Sequence, residues 1–248
     1  MLEQTSLEKP GTLRPASATI PGLFSLEEVR SLLRYKTYFR TEAVAGETLK
    51  AALSLRYQVY CLERNFEKSE NFPDRLETDE FDTRSVHGVV FYRPRNAAIG
   101  TVRLILPNDD AAGLPVYSLL GCTNLARHFP RGQTAEVSRF AISRSFQPDR
   151  RDQSKLPTLG LAQILLRLSL ANGITHWGAV MLPSLLRMLA MLGIEFFPVG
   201  PLVSYHGIRQ PSVCNVEQML ETLLRRNPAH WQIVTDGGRL AAEFKRLR

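Results

Sequence analysis

Glu136 and Arg139 interrupt a stretch, AEVSRFAISRSF from Ala135 to Phe146, whose Val137, Phe140, Ala141 and Ile142 otherwise have the character of a buried strand. Charged side chains are expensive to bury unless they are paired or used. Two arrangements fit: the pair neutralises itself, or the strand carries both charges because a reaction or a charged substrate needs them. Arg103 repeats the pattern, standing among Thr101, Val102, Leu104 and Ile105. Upstream, FPDRLETDEFD places Glu77, Asp79, Glu80 and Asp82 in one short segment without helical or strand period. Carboxylates at this density face water, a cation or arginines. No histidine completes a metal site there, and the spacing is not that of an EF-hand, so no metal is expected. Earlier still, Arg56 and Tyr60 are four residues apart on a helical stretch; a surface arginine stacked on a ring is the plain reading of that pair.

The elements that position these residues follow from periodicity. Ser25 with Glu28 has the form of a capping box opening a helix to about Leu33, and Tyr35 to Val44 alternates as a first strand. Gly46 to about Arg64 has apolar residues near helical spacing. Val86 to Tyr92 and Ile99 to Leu106 form a hairpin around PRNAA, and a short helix fits near Leu114 to Leu120. In a regular strand Glu136 and Arg139, an odd three apart, face opposite sides. A β-bulge between them would bring both to one side, and bulges free backbone N–H groups at active sites. Thr158 to Asn172 is a helix ended by Gly173. Thr175 to Leu182 reads as a strand, Pro183 to Leu192 as a helix, and Ile194 to Val199 and Leu202 to Ile208 as sheet segments. Helices follow at Val216 to Arg226 and from Gly238. This order predicts an α/β or α+β fold with a mixed central sheet flanked by helices. It divides into a tail over 1–24, rich in Pro, Ser and Thr, a main domain over 25–212 and a helical extension over 213–248.

Composition narrows the class. The chain has 248 residues, is 44% hydrophobic and 22% charged, which is that of an ordinary soluble globular domain. Its net charge of +7 favours an anionic partner. The basic residues are scattered, however, and no Lys-rich run points to nucleic acid. Three cysteines, Cys61, Cys122 and Cys214, are too few and too far apart for a disulfide framework or a thiolate metal site. The five histidines, His87, His128, His176, His206 and His230, read as satisfied core or surface residues. The N-terminal stretch has no apolar core of a signal peptide, and the apolar region Trp177 to Val203 is broken by Pro183, Arg187, Glu195 and Pro198. No membrane span and a cytoplasmic location are the expectation.

Laid out in order, these residues resemble the acyl-homoserine-lactone synthases of the GNAT-like N-acyltransferase superfamily over roughly residues 36 to 208. Arg56, Tyr60 and Phe66 match the family's arginine and two aromatics, although Phe and Trp are more common at the last two. Glu77, Asp79 and Asp82 match E-x-D-x-x-D, Arg103 the strand arginine, and Glu136 with Arg139 the E-x-x-R. LRMLAMLGIEFFPVG, Leu186 to Gly200, is similar to the family's late helix, glycine and strand. The chain is more similar to a sister group, the PEP-CTERM/exosortase-system-associated acyltransferases, at SRFAISRSF (Ser138 to Phe146) and YHGIRQP (Tyr205 to Pro211), and also to the N-acyl amino acid synthases.

The resemblance implies transfer of a fatty acyl group from an acyl carrier protein thioester to the amine of an amino acid or related small molecule. It makes Glu136, acting through water, the candidate base. Backbone N–H groups around Arg139 and Phe140 are candidates for an oxyanion hole. Arg56, Arg103 and Arg139 would cluster with Glu77, Asp79 and Asp82 and shape the amine pocket, with Tyr60, Phe66 and Ser138 beside them. Such paired charges also organise structure without touching chemistry, and for Arg56 and Asp79 that reading stands beside the functional one. No cofactor is expected to be bound. The loop Ser145 to Gly160 lacks the glycine pattern of many CoA-dependent relatives, while Arg144, Arg150, Arg151 and Lys155 suit docking of an acidic carrier protein or a phosphopantetheine group. Acyl-CoA is the second donor. Two other readings remain: a homoserine-lactone synthase using S-adenosylmethionine, and, from a different class, a non-catalytic protein binding nucleic acid or acidic partners, which salt-sensitive binding to DNA would favour.

Overall fold

The computed structural model describes residues 24–108, 113–119, 129–147, 155–205 and 207–246. Residues 1–23 of the expected tail, and Cys122, His128, Arg150, Arg151 and His206, lie outside them. Ser25 opens α1 (Leu26–Tyr38) through reciprocal bonds: the Glu28 N–H donates to Ser25 Oγ at 3.3 Å and the Ser25 N–H to the Glu28 carboxylate at 3.0 Å. The helix runs further than the alternation suggests, so β1 (Phe39–Val44) starts at Phe39 and not at Tyr35. Tyr35 and Phe39 are both buried and their rings stack with centroids 5.8 Å apart, a four-residue spacing that suits either period.

The stretch from Gly46 is not one α-helix. After a 3₁₀ turn it forms α2 (Leu49–Arg56) and then a π-helical segment, Tyr57–Glu63. Over so few turns the apolar spacing does not separate the two periods, and π-helical turns recur at functional sites. The hairpin of β2 (Ser85–Tyr92) and β3 (Ala97–Ile105) turns at Asn96, which has φ of 46°. Then come the short α3 (Pro115–Ser118), β4 (Thr134–Ile142), α4 (Leu156–Ala171), β5 (His176–Met181) and α5 (Pro183–Met191). The expected strand at 194–199 shrinks to β6 (Phe197–Pro198), and that at 202–208 to β7 (Val203–Ser204). The principal late strand is instead β8 (Ile208–Asn215). Pro211 does not interrupt it: β8 is paired on both edges and has five buried residues, and that burial outweighs a proline's poor fit to a strand. α6 (Val216–Arg226), α7 (Pro228–Val234) and α8 (Arg239–Lys245) follow.

The sheet order is β1-β2-β3-β4-β5-β8-β6, with β7 also paired to β8. All neighbours are antiparallel except β4 and β5. Alternation along β2 sends side chains to two layers: Val89 packs with Ala52 of α2 on one face, while Val90 joins Ile164 and Leu161 of α4 on the other. α7 packs against α1 and α4, and its Trp231, Ile233 and Val234 belong to the same core as Trp177. Gln163 joins three elements, accepting from Thr41 Oγ1 at 2.8 Å and donating to the Ile233 carbonyl at 2.6 Å. No described helix is long and apolar enough to cross a membrane.

α4 approaches the sheet closely at Gly88. A Cβ there would lie 2.6 Å from Ile164 Cγ1 and 2.7 Å from its Cγ2. Gly88→Ala is expected to destabilise the fold by about 1–3 kcal/mol through overpacking. Urea denaturation measures this; an unchanged midpoint would show that α4 can retreat.

Candidate active site

β4 holds the acid and the arginine at a place where the sheet loses regularity in two ways. Pairing with β3 shifts: Thr101 faces Ala141 and Arg103 faces Ser138. Between those pairs Val102 opposes two residues, Arg139 and Phe140, which is a β-bulge. Arg139 takes φ of 50°, left-handed backbone that costs a non-glycine residue about 1–2 kcal/mol. Something must hold it there, and its ion pairs do. On the other side, the parallel pairing of β4 with β5 ends at Val137 and Ala179 although both strands continue. The strands therefore splay beside Ser138, Arg139 and Phe140, and the bulge faces that opening.

Glu136 and Arg139 do not pair with each other. The Glu136 carboxylate is buried, and its Oε2 accepts the Val116 N–H at 2.6 Å. Val116 lies in the first turn of α3, where Pro115 takes the initial position and main-chain donors have no partner inside the helix. Burial raises the Glu136 pKa to about 7, opposed by the Val116 N–H and the more distant Arg103 and Arg84. Nothing in the side chains around Pro115 signals this donor, and sequence reasoning missed it.

Arg139 turns to the acidic segment. Its Nη2 donates to Glu77 Oε1 at 2.7 Å and to Asp79 Oδ2 at 2.9 Å. Arg103 grips both Asp79 oxygens, donates to Asp82 Oδ1 at 2.7 Å and holds Ser138 Oγ through Nε at 2.9 Å. Arg56 reaches Glu77 through Nε and both Asp82 oxygens, at 2.7 and 3.1 Å. The structure thus joins Arg56, Arg103 and Arg139 to Glu77, Asp79 and Asp82 in one charge-balanced network on the β3–β4 surface. The arginines hold all three carboxyl pKa values below the usual range although burial acts the other way. Glu80 takes no part in these bonds. Arg56 is fully buried and is not stacked on Tyr60; Arg139 is, with its guanidinium 5.2 Å from that ring.

The π-helical segment sets the aromatic wall. The Tyr60 carbonyl accepts from the N–H groups of Phe66 at 2.8 Å and Glu67 at 3.2 Å, folding the chain back so that the Tyr60 and Phe66 rings lie 6.2 Å apart. His87, beneath the network, departs from the satisfied histidine expected. It is buried, its nearest carboxylate oxygen, Asp82 Oδ1, is 3.7 Å away, and neither ring nitrogen has a hydrogen-bond partner among the described residues. Burial first, then Arg56, lowers its pKa to about 4, so it is neutral at pH 7.

Of the basic loop residues, Arg144 and Lys155 are described, and both are exposed. Arg144 is tied to Glu63, its main-chain N–H donating to Oε2 at 2.8 Å and its Nη1 to the Glu63 carbonyl at 3.2 Å. An open cleft of about 560 Å³ lies there, lined by Tyr57, Gln58, Arg75 and Arg144 among others.

Residues 55–154 match the family described as Acetyltransferase (GNAT) domain. No curated protein matches the chain. Among solved structures it is similar to TofI in a ternary complex with an inhibitor and MTA, at 19% identity and a TM-score of 0.53 over 78% of this chain and 99% of that one. FeeM, an N-acyl amino acid synthase from uncultured soil microbes, is 20% identical with a TM-score of 0.53 over 75% and 97%. BjaI, a CoA-dependent acyl-homoserine lactone synthase with SAM and isopentyl-CoA, is 18% identical with a TM-score of 0.56 over 82% and 89%. These likenesses establish the fold as GNAT-like. The matched domain and the FeeM and BjaI structures direct the reading of this site toward N-acyl transfer.

Proposed function

We propose that the protein moves a fatty acyl group from an acyl carrier protein thioester to the amine of an amino acid or related small molecule. The observation that carries this reading is Glu136: a buried carboxyl with pKa about 7, beside a bulge where two strands splay. An amine attacks only when neutral, and a base with this pKa is matched to removing its proton near pH 7. In the reaction, the amine nitrogen bonds the thioester carbonyl carbon while Glu136 takes the amine proton, directly or across one water. N–H groups at Arg139 and Phe140 face the carbonyl oxygen as charge develops on it. The C–S bond then breaks, and the proton passes from Glu136 to the departing thiolate, leaving an amide and a free thiol.

The carrier-protein donor is supported by the loop from Ser145 to Gly160, which lacks a glycine-rich phosphate cradle, and by Arg144, Arg150, Arg151 and Lys155 as a docking surface. The name of BjaI keeps acyl-CoA as the second donor. SRFAISRSF and YHGIRQP support the exosortase-associated group, with a cytoplasmic site of action, over a homoserine-lactone synthase; the MTA and SAM bound by TofI and BjaI favour the latter.

Mass spectrometry of lipid extracts from a heterologous host expressing the protein tests the reading. A new N-acyl amino acid is the expected product. An acyl-homoserine lactone would select the second reading, and transfer by purified protein from acyl-CoA but not from acyl carrier protein would overturn the donor.

A further inference from the structure

α1 turns a row of aliphatic side chains to solvent. Its inner face buries Tyr35 in the core and packs on α7. On the outer face Leu26, Val29 and Leu33 share one stripe at three- and four-residue spacing, and they are 76%, 42% and 58% exposed. Phe24, just ahead of the helix, is 44% exposed with its ring stacked on Trp231 of α7. Single exposed apolar residues need no explanation, but a contiguous row of them marks a surface that something covers.

Cations border the row on both sides. In helical projection Arg30 and Arg34 lie along one side of it and Lys36 along the other, all three exposed, and Glu27 is the exposed carboxylate that α1 sets against them. Lys36 reaches Asp236 at 2.8 Å, but Arg239 at 2.9 Å and Arg167 at 3.3 Å share that one carboxylate. The surface is therefore apolar in the middle and positive at its margins. A second copy of α1 laid along the row would bring these cations against their like. An anionic bilayer suits both parts: the aliphatic side chains enter the acyl boundary while the long basic side chains stay level with the headgroups. The chain's net charge of +7 draws it toward such a surface. We propose that α1 docks the protein on an anionic membrane surface, lying in its plane. The docking uses no residue of the candidate active site and does not depend on the acyltransferase reading.

The test is co-sedimentation of the full chain with vesicles of phosphatidylcholine alone and of phosphatidylcholine with roughly one-third phosphatidylglycerol, at low and high salt. Wild type is expected to partition onto the anionic vesicles about tenfold or more over the neutral ones, and high salt to weaken that preference. Leu26→Gln with Leu33→Gln, neutral and favourable to helix, abolishes the binding, whereas Arg30→Gln with Arg34→Gln lowers the preference for anionic lipid. All four positions are on the outer face, and melting temperatures close to the wild type confirm that the pairs are folded. Equal partition of wild type onto both vesicles, or none onto either, overturns the proposal. So does anionic binding that survives the leucine pair, which would place the contact on basic residues elsewhere. A dimer in analytical ultracentrifugation that the leucine pair dissociates would give the row to a second copy and overturn it as well.

Discussion

Glu136→Gln abolishes acyl transfer to within assay limits, a loss of about 10²–10⁴-fold, while making the protein more stable at pH 8. Glutamine fills the same space and can accept the Val116 N–H through its carbonyl oxygen, so the site keeps its shape and loses only the base. The stability change follows from the raised pKa. A carboxyl whose folded pKa, about 7, lies above its unfolded value of about 4.3 contributes stability that is fully present below pH 4 and lost as pH rises through 7. Above pH 7 the wild type therefore carries a buried charge that the amide does not, worth roughly 4 kcal/mol at most. Urea denaturation at pH 5 and pH 8 reads the difference. The wild-type rate should rise with pH and level off above about 7, as the base ionises. A variant that retained transfer, or a rate profile flat from pH 5 to 8, would remove Glu136 as the base.

Asp82→Ala should destabilise by about 3–5 kcal/mol, because it leaves two buried arginines facing a missing charge. Asp82 receives both Arg56 and Arg103 and also the Asp79 N–H at 2.8 Å, so it is the hub at which the acidic segment is fastened to α2 and β3. The pH dependence has the opposite sign to that of Glu136. Carboxyl groups whose pKa is lowered on folding contribute stability above their unfolded values, near pH 4, and lose it as pH falls through the folded ones. Wild type should thus unfold steeply in acid and Asp82→Ala less so. Chemical denaturation between pH 3 and pH 7 measures both. A loss below 1 kcal/mol would mean that water reaches the network and screens it.

Burying three arginines and three carboxylates together is a weak source of net stability, since desolvation offsets the attraction. The network makes better sense as a means of specifying position. It holds Arg139 in a left-handed conformation that a strand would otherwise reject, and with it the bulge that turns the main chain of Phe140 toward the splayed strands. Arg56 and Asp82 act on this geometry from a distance.

Much of this was legible in the sequence because it depends on local pattern. The Ser25 capping box, the β2–β3 hairpin, the buried helix near residues 158–172 and the odd spacing of Glu136 and Arg139 each follow from side-chain period or chain chemistry within a few residues. Charged residues in apolar strands announce that partners exist, and the resemblance to the acyl-homoserine-lactone synthases is what named the three arginines and the acidic segment as one group. What only the tertiary structure decided are the pairings across long separations. It gave Arg139 to Glu77 and Asp79 and left Glu136 to a main-chain N–H at Val116, because a backbone donor carries no side-chain signature. It carried β8 through Pro211, where packing on both edges outweighs propensity.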